Sequence, residues 1–285
     1  MRRLLRFSVP LLLIICARPC AALEAPEPGV VTLRSGDLQV ELQRSHAWNI
    51  QRIMRGDVQV ATATGSYGTL LSVPAVGGWI GGAHTVGGVE SIESISLTVD
   101  GEEVPLEPGA AYSGDLLELH RTSLLDMVRL DATLWIDDGR MFQRHTLTAL
   151  EDVIVTVAYP FMFCVTSDTM QWIAETADGE SLEGAFTGSR DLDWHEDWAW
   201  TAAYIPDAET GFVMRHLSRA EGAATLTGYW DQERHHKLYV RWDSPKEPWR
   251  EGYTLSGEVA VTTFSAAPEE WEDVARGAAE GLIVE

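Results

Sequence analysis

A period of two runs through most of this chain, and it limits what the chain can fold into. Leu38, Val40 and Leu42 alternate with Gln39, Glu41 and Gln43. Ile95, Leu97 and Val99 alternate with Ser94, Ser96 and Thr98 before the turn pair Asp100-Gly101. Val128 to Ile136 repeats the pattern and stops at Asp137-Asp138-Gly139; Val153 to Val157, Leu238 to Trp242 and Val259 to Phe264 complete it. Successive side chains of a strand point to opposite faces, so this spacing buries one face and wets the other. A helix is expected only near the C-terminus. Pro268 suits its first position, Glu269 and Glu270 its positive end, and Trp271, Val274, Ala275 and Ala278 share a face. The predicted fold class is all-β: a large two-sheet antiparallel β-sandwich with one C-terminal helix.

The first residues predict export. Arg2, Arg3 and Arg6 precede an apolar run from Val9 to Cys16, and small residues at Cys20 and Ala22 offer a cleavage point after Ala22. This order is that of a secretory signal peptide over residues 1–22, and the run is too short to span a bilayer. The alternative is an uncleaved amphipathic anchor. Residues 23–285 are then expected to form one β-sandwich domain, secreted to a periplasm or to the extracellular space, with no membrane span of its own. Cys16 and Cys20 leave with the leader, so Cys164 remains alone and no internal disulfide is available. Inside its apolar run, Cys164 reads as a small buried hydrophobe.

The full chain carries 21 basic and 43 acidic residues, a formal net charge of −22. Loss of the leader removes four arginines and no acids, which deepens the charge to −26. Such a surface repels nucleic acid, so no nucleic-acid partner is expected. It also disfavours a polyanionic ligand unless a local basic cleft overcomes the background. Eleven tryptophans are present. The flat indole stacks on the C–H face of a sugar ring, while core packing is the competing use.

Two stretches carry a resemblance to a known family. They are Gly77-Gly78-Trp79-Ile80-Gly81-Gly82-Ala83-His84 with Ser96-Leu97-Thr98-Val99-Asp100-Gly101, and His235-His236-Lys237-Leu238-Tyr239-Val240 followed by Gly257 to Phe264. In style they resemble the galactose mutarotase-like β-supersandwich over most of Val30 to Phe264. The resemblance implies a sugar-handling protein with its ligand on the open face of the larger sheet. It also implies, for an epimerase, an Asn-Arg pair near two histidines and a glutamate. Here the single asparagine, Asn49, is followed by Ile50. That catalytic set does not transfer intact.

Individual residues supply candidates. A two-residue loop at Asp138-Gly139 pairs Ile136 with Met141, Leu134 with Gln143 and Ala132 with His145 on one face. The opposite face then carries Arg129, Asp131, Trp135 and Arg144, either a sugar-gripping surface or a wetted face of cross-strand ion pairs. His145 faces the apolar layer and reads as a satisfied core histidine. His84 and Glu90 share a face if their strand is unbroken, and an imidazole with a carboxylate can serve as base and acid. A bulge at Gly87-Gly88 would spoil that parity. His235 falls in line with Lys237, Tyr239 and Arg241 on the open face, whereas His236 follows Leu238 inward. The run Asp191 to Trp200 reads as a polar-aromatic loop in which Trp194 and His195 meet a sugar, or as an ordinary acidic loop.

The catalytic candidates are therefore His84, Glu90, Arg144 and His235, with Arg129, Asp131, Trp135, Trp194, His195 and Tyr239 as sugar contacts. No cofactor and no metal are expected, since zinc spacing, phosphate-binding glycine loops and Gly-x-Ser-x-Gly are absent from the sequence. The expected function is carbohydrate binding, or proton-transfer chemistry on a glycan. The alternative is a non-catalytic surface module.

Overall fold

The computed structural model describes residues 29–82, 88–196, 198–243 and 247–283. Residues 1–28, which include the expected leader, and His84 lie outside them. Within the described residues the period of two is obeyed closely. In Leu38–Gln43, Leu38, Val40 and Leu42 are buried while their neighbours stay half-exposed. Leu116–Leu125 and the inner residues of Val128–Asp137 follow suit. Among the described residues the strands form a twelve-stranded and a ten-stranded sheet, whose apolar faces share one core. Leu33, Val40 and Val240 of the larger sheet meet there with Leu130, Leu147 and Val259 of the smaller. Full burial of such a side chain stabilises the fold by about 1.5–3 kcal/mol.

The sheets are antiparallel with two short exceptions. Thr32 to Arg34 run parallel to Ala111 to Ser113, and Ile80-Gly81 parallel to Gly88-Val89. In the larger sheet Val157–Thr166, His235–Asp243 and Ala224–Asp231 are neighbours. In the smaller sheet the order is Leu116–Leu125, Val128–Asp137, Arg140–Ala149 and Thr254–Ser265. The Asp138-Gly139 hairpin has the expected register, with Ala132 opposite His145 and Trp135 opposite Phe142. Asp138 (φ 47°) and Gly139 (φ 71°) both adopt left-handed conformations, the two-residue turn whose twist matches that of its strands.

Two local expectations are corrected. The strand predicted over Val153 to Val157 begins only at its last residue, because Val153 makes just one isolated bridge, to Trp249. The supposed loop from Asp191 to Trp200 is instead two strands, Leu192–Glu196 and Trp198–Ile205. Trp198 and Trp200 are both buried but on opposite sides of the sheet: at the register shift opposite them, between Glu175 and Thr176, Trp198 turns into the shared core and Trp200 to the outer face under the C-terminal helix.

The helix Trp271–Glu280 starts three residues after Pro268. It presents Trp271, Ala275 and Ala279 to the outer face of the smaller sheet, where Trp271 stacks on Tyr204 at 5.0 Å. No helix among the described residues is long and apolar enough to cross a membrane.

Trp242 is the anchor of the shared core under the larger sheet, 1% exposed and edge-on to Phe161. Gly257 of the smaller sheet leaves room for it, since a Cβ there would lie 2.6 Å from the indole. Trp242→Ala should lower the free energy of unfolding by about 3–5 kcal/mol, read from urea titration.

Candidate functional site

The outer face of the larger sheet carries an aromatic cleft, and strand parity puts it there. In His235–Asp243 the side chains of Leu238, Val240 and Trp242 enter the core, so His235, Lys237, Tyr239 and Arg241 share the outer face. Trp230 stands directly opposite Lys237 on the neighbouring strand. A register shift between Ala158 and Phe161 turns Tyr159 outward while both flanking residues stay in the core. Tyr159 stacks on Trp79 at 5.7 Å and tilts against Tyr239 at 5.1 Å. Tyr67 arrives from the connection after Ala61, its hydroxyl 3.0 Å from that of Tyr239. With Leu70 and Leu192 these five rings line a cleft of about 340 Å³.

The cleft is neutral in its hydroxyls and cationic at one edge. Burial pushes the Tyr67 pKa up to about 12 and that of Tyr239 higher still, so both keep their protons. The Lys237 ammonium lies 4.2 Å from the Tyr67 ring centroid, 5.7 Å from Tyr239 and 5.9 Å from Trp230. His235 is half-buried beside it. Burial, then the charge of Lys237, pushes the His235 pKa down to about 4, so its imidazole is neutral at pH 7. Both ring nitrogens are buried without a hydrogen-bond partner. Gly65 roofs this pair in a left-handed conformation (φ +76°). A Cβ at that position would meet His235 Nε2 at 2.5 Å and Lys237 Cε at 3.0 Å, so glycine is needed both for the turn and for the room.

Behind Tyr67, between the sheets, lies a second cavity of about 40 Å³, also lined by Asn49, Arg121, Gln143 and His145. It has volume for about one or two waters and none for a sugar. Arg121 Nε sits 3.2 Å from Glu90 Oε1, with side-chain exposures of 4% and 0%. Arg121 also donates to Asn49 Oδ1 at 3.0 Å and to the Ala47 carbonyl. Asn49 Nδ2 donates to Glu90 at 3.3 Å and to the His46 carbonyl at 2.6 Å. His145 Nδ1 lies 2.8 Å from the Pro160 carbonyl, which can only accept, so the proton sits on Nδ1. Burial first, and Arg121 second, push the His145 pKa down to about 3.

Apart from His84, Trp194 and His195, the predicted site residues are thus distributed over three places. His235 and Tyr239 come together in the cleft. Glu90 is inside the sandwich, bound to Arg121 and Asn49. Arg144, Arg129, Asp131 and Trp135 occupy the outer face of the smaller sheet, the far side from Glu90. There Arg129 pairs with Asp131 at 2.9 Å and Arg144 with Glu258 at 2.6 Å, while the Arg144 guanidinium lies 5.5 Å over Trp135. Glu90, Arg144 and His235 therefore do not converge, because neighbouring positions on a strand face opposite ways. His84 lies outside the described residues. Trp194 and His195 belong to Leu192–Glu196, where the register sets them opposite Gly228 and Thr227. The cleft residues Tyr67, Trp79, Tyr159 and Trp230 are not among the contacts expected from the sequence. One signal was available: Pro160 inside an apolar strand run marks a bulge.

Comparison with known proteins concerns the fold. No family model matches the chain. No curated protein matches it in sequence. Among solved structures, the galactosidase domain of an alpha-galactosidase–sucrose kinase, AgaSK, is similar with a TM-score of 0.54, at 7% identity over 83% of this chain and 40% of that one. The alpha-galactosidase AgaA from Geobacillus stearothermophilus, in complex with stachyose, has a TM-score of 0.52 at 9% identity, over 84% of this chain and 41% of that one. A galactose mutarotase-like protein from Clostridium acetobutylicum has a TM-score of 0.49 at 6% identity, over 82% of this chain and 94% of that one. The chain spans about two fifths of the length of the two galactosidase chains. The resemblance to galactose mutarotase-like structures is one of fold.

Two outcomes follow for the internal cavity. Arg121→Met leaves Glu90 charged and buried, and should cost about 3–5 kcal/mol of stability; adding Glu90→Gln should restore part of it, read from urea titrations in a double-mutant cycle. His145 binds a proton near pH 6.5 when unfolded and only near pH 3 when folded, so its contribution is complete above about pH 6.5 and is lost as pH falls toward 3. Between pH 7 and 4.5 the stability of His145→Gln should fall less steeply than that of the wild type.

Proposed function

We propose that this chain is an exported carbohydrate-binding protein that holds a sugar in the cleft of Tyr67, Trp79, Tyr159, Trp230 and Tyr239. The observation that carries the reading is the cleft itself: five rings, two of them with paired hydroxyls, on the outer face of the larger sheet. Ring faces suit the C–H faces of a pyranose, and phenolic hydroxyls suit its hydroxyl groups. The fold likeness supports the same direction, since one of the similar structures holds stachyose. Export rests on the leader read in residues 1–22.

Binding is favoured over proton transfer by the placement of the ionisable groups. Glu90 is tied to Arg121 inside the sandwich, Arg144 is tied to Glu258 on the other sheet, and the nitrogens of His235 are covered. An acid and a base within reach of one sugar carbon are the minimum for epimerisation or elimination. No such pair converges among the described residues.

Calorimetric titration against a panel of neutral and uronic oligosaccharides should find at least one ligand, and Trp230→Ala should weaken it by about tenfold or more. Failure of every glycan to bind, or an unchanged affinity in the variant, refutes the reading. Incubation with the bound glycan should leave it chemically unaltered by mass spectrometry and NMR. Protein recovered outside the cytoplasm should begin at Leu23 on N-terminal sequencing.

A further inference from the structure

At the edge of this cleft Lys237 carries a charge that the binding of a neutral sugar does not use. The residue is only 6% exposed. Carboxylates of the neighbouring segments are engaged elsewhere: Asp243 with Arg241 at 2.6 Å and Asp231 with the His236 imidazole at 2.7 Å. Among the described residues no carboxylate pairs with the Lys237 ammonium; it lies among the faces of Tyr67, Trp230 and Tyr239, with Cys164 opposite it on the neighbouring strand and the neutral His235 imidazole beside it. Ring faces attract the cation but accept none of its three N–H bonds in the way an oxygen does. Removal of a lysine from water without an anion disfavours its charged form, and burial holds its pKa below the ordinary lysine value. An anion arriving among those rings would supply the missing partner.

We infer that the cleft takes a sugar bearing a negative substituent, a carboxylate or a sulfate ester, and that Lys237 is the group that reads this charge. This rests on the glycan-binding reading above and narrows it to acidic sugars. The whole-chain charge of −22 repels such a ligand at long range, so recognition must be local. A lysine shielded by three rings meets that requirement. The surrounding apolar surface excludes water and strengthens the contact between ammonium and anion.

The test uses three probes on the same protein: a galacturonate trisaccharide, a sulfated galactose trisaccharide and neutral galactotriose. At least one acidic probe should bind about tenfold or more tightly than the neutral one, and the two acidic arms distinguish carboxylate from sulfate. Lys237→Met retains the apolar stem; in it the ratio of acidic to neutral affinity should fall to about one. Neither acidic probe binding more tightly than galactotriose overturns the charge inference and leaves the glycan reading standing. A preference that survives in Lys237→Met also overturns it. Absence of binding by all three probes overturns both. The wild-type comparison decides the matter even where the variant does not fold.

Discussion

Exclusion of water from the layer between two β-sheets is the interaction on which the rest of this structure depends. Side chains alternate along a strand, so filling the inner layer decides at the same stroke what the outer faces carry. Leu238, Val240 and Trp242 turn inward, and Lys237 and Tyr239 are thereby committed to the outside. In Val128–Asp137 and Arg140–Ala149, Leu134, Ile136 and Met141 go in, which leaves Trp135 and Arg144 on the far side of the smaller sheet. A one-residue slip in either strand would exchange these sets and bury charge.

The two outer faces then meet different fates. That of the smaller sheet is closed partly by the helix Trp271–Glu280 and partly by its own ion pairs. Its charged groups satisfy one another, which is the ordinary condition of a wetted sheet face. The outer face of the larger sheet keeps a hollow lined by rings, with an ammonium at its edge that pairs with no carboxylate among the described residues. This face offers a ligand both apolar area and an ammonium beside it that pairs with no described carboxylate.

The internal cluster of Asn49, Glu90 and Arg121 has a different role. It sits where the larger sheet is bulged, and it joins Asn49–Arg55 of that sheet to Leu116–Leu125 of the smaller one. Gly68 and Gly82 lack side chains where Asn49 must pass. Apolar layers tolerate small shifts, whereas these directional bonds fit one relative placement of the sheets. Asn49, Glu90 and Arg121 thus face one another inside the sandwich.

Much of the architecture was legible from residue spacing. The alternation, the Asp138-Gly139 turn and the C-terminal amphipathic stretch are local signals, and the hairpin register with the facing of His145, Arg144 and His235 followed from them. The aromatic cleft was only half legible. Tyr239 and His235 could be placed by parity, but Tyr67 enters from a connection without periodicity and Tyr159 depends on a bulge. Tryptophan content alone did not separate uses: Trp48, Trp198, Trp200, Trp242, Trp249 and Trp271 are core residues, while Trp79 and Trp230 reach the cleft. By itself, then, the order of residues determined the strands, their faces and the class of fold, because these arise from the two-residue repeat and from turn chemistry. Only the tertiary structure decided which outer face stayed open, that Glu90 would meet Arg121 and Asn49, and that Lys237 would lie among rings with no described carboxylate beside it. Those outcomes depend on contacts between segments distant in the chain, for which no local spacing rule exists.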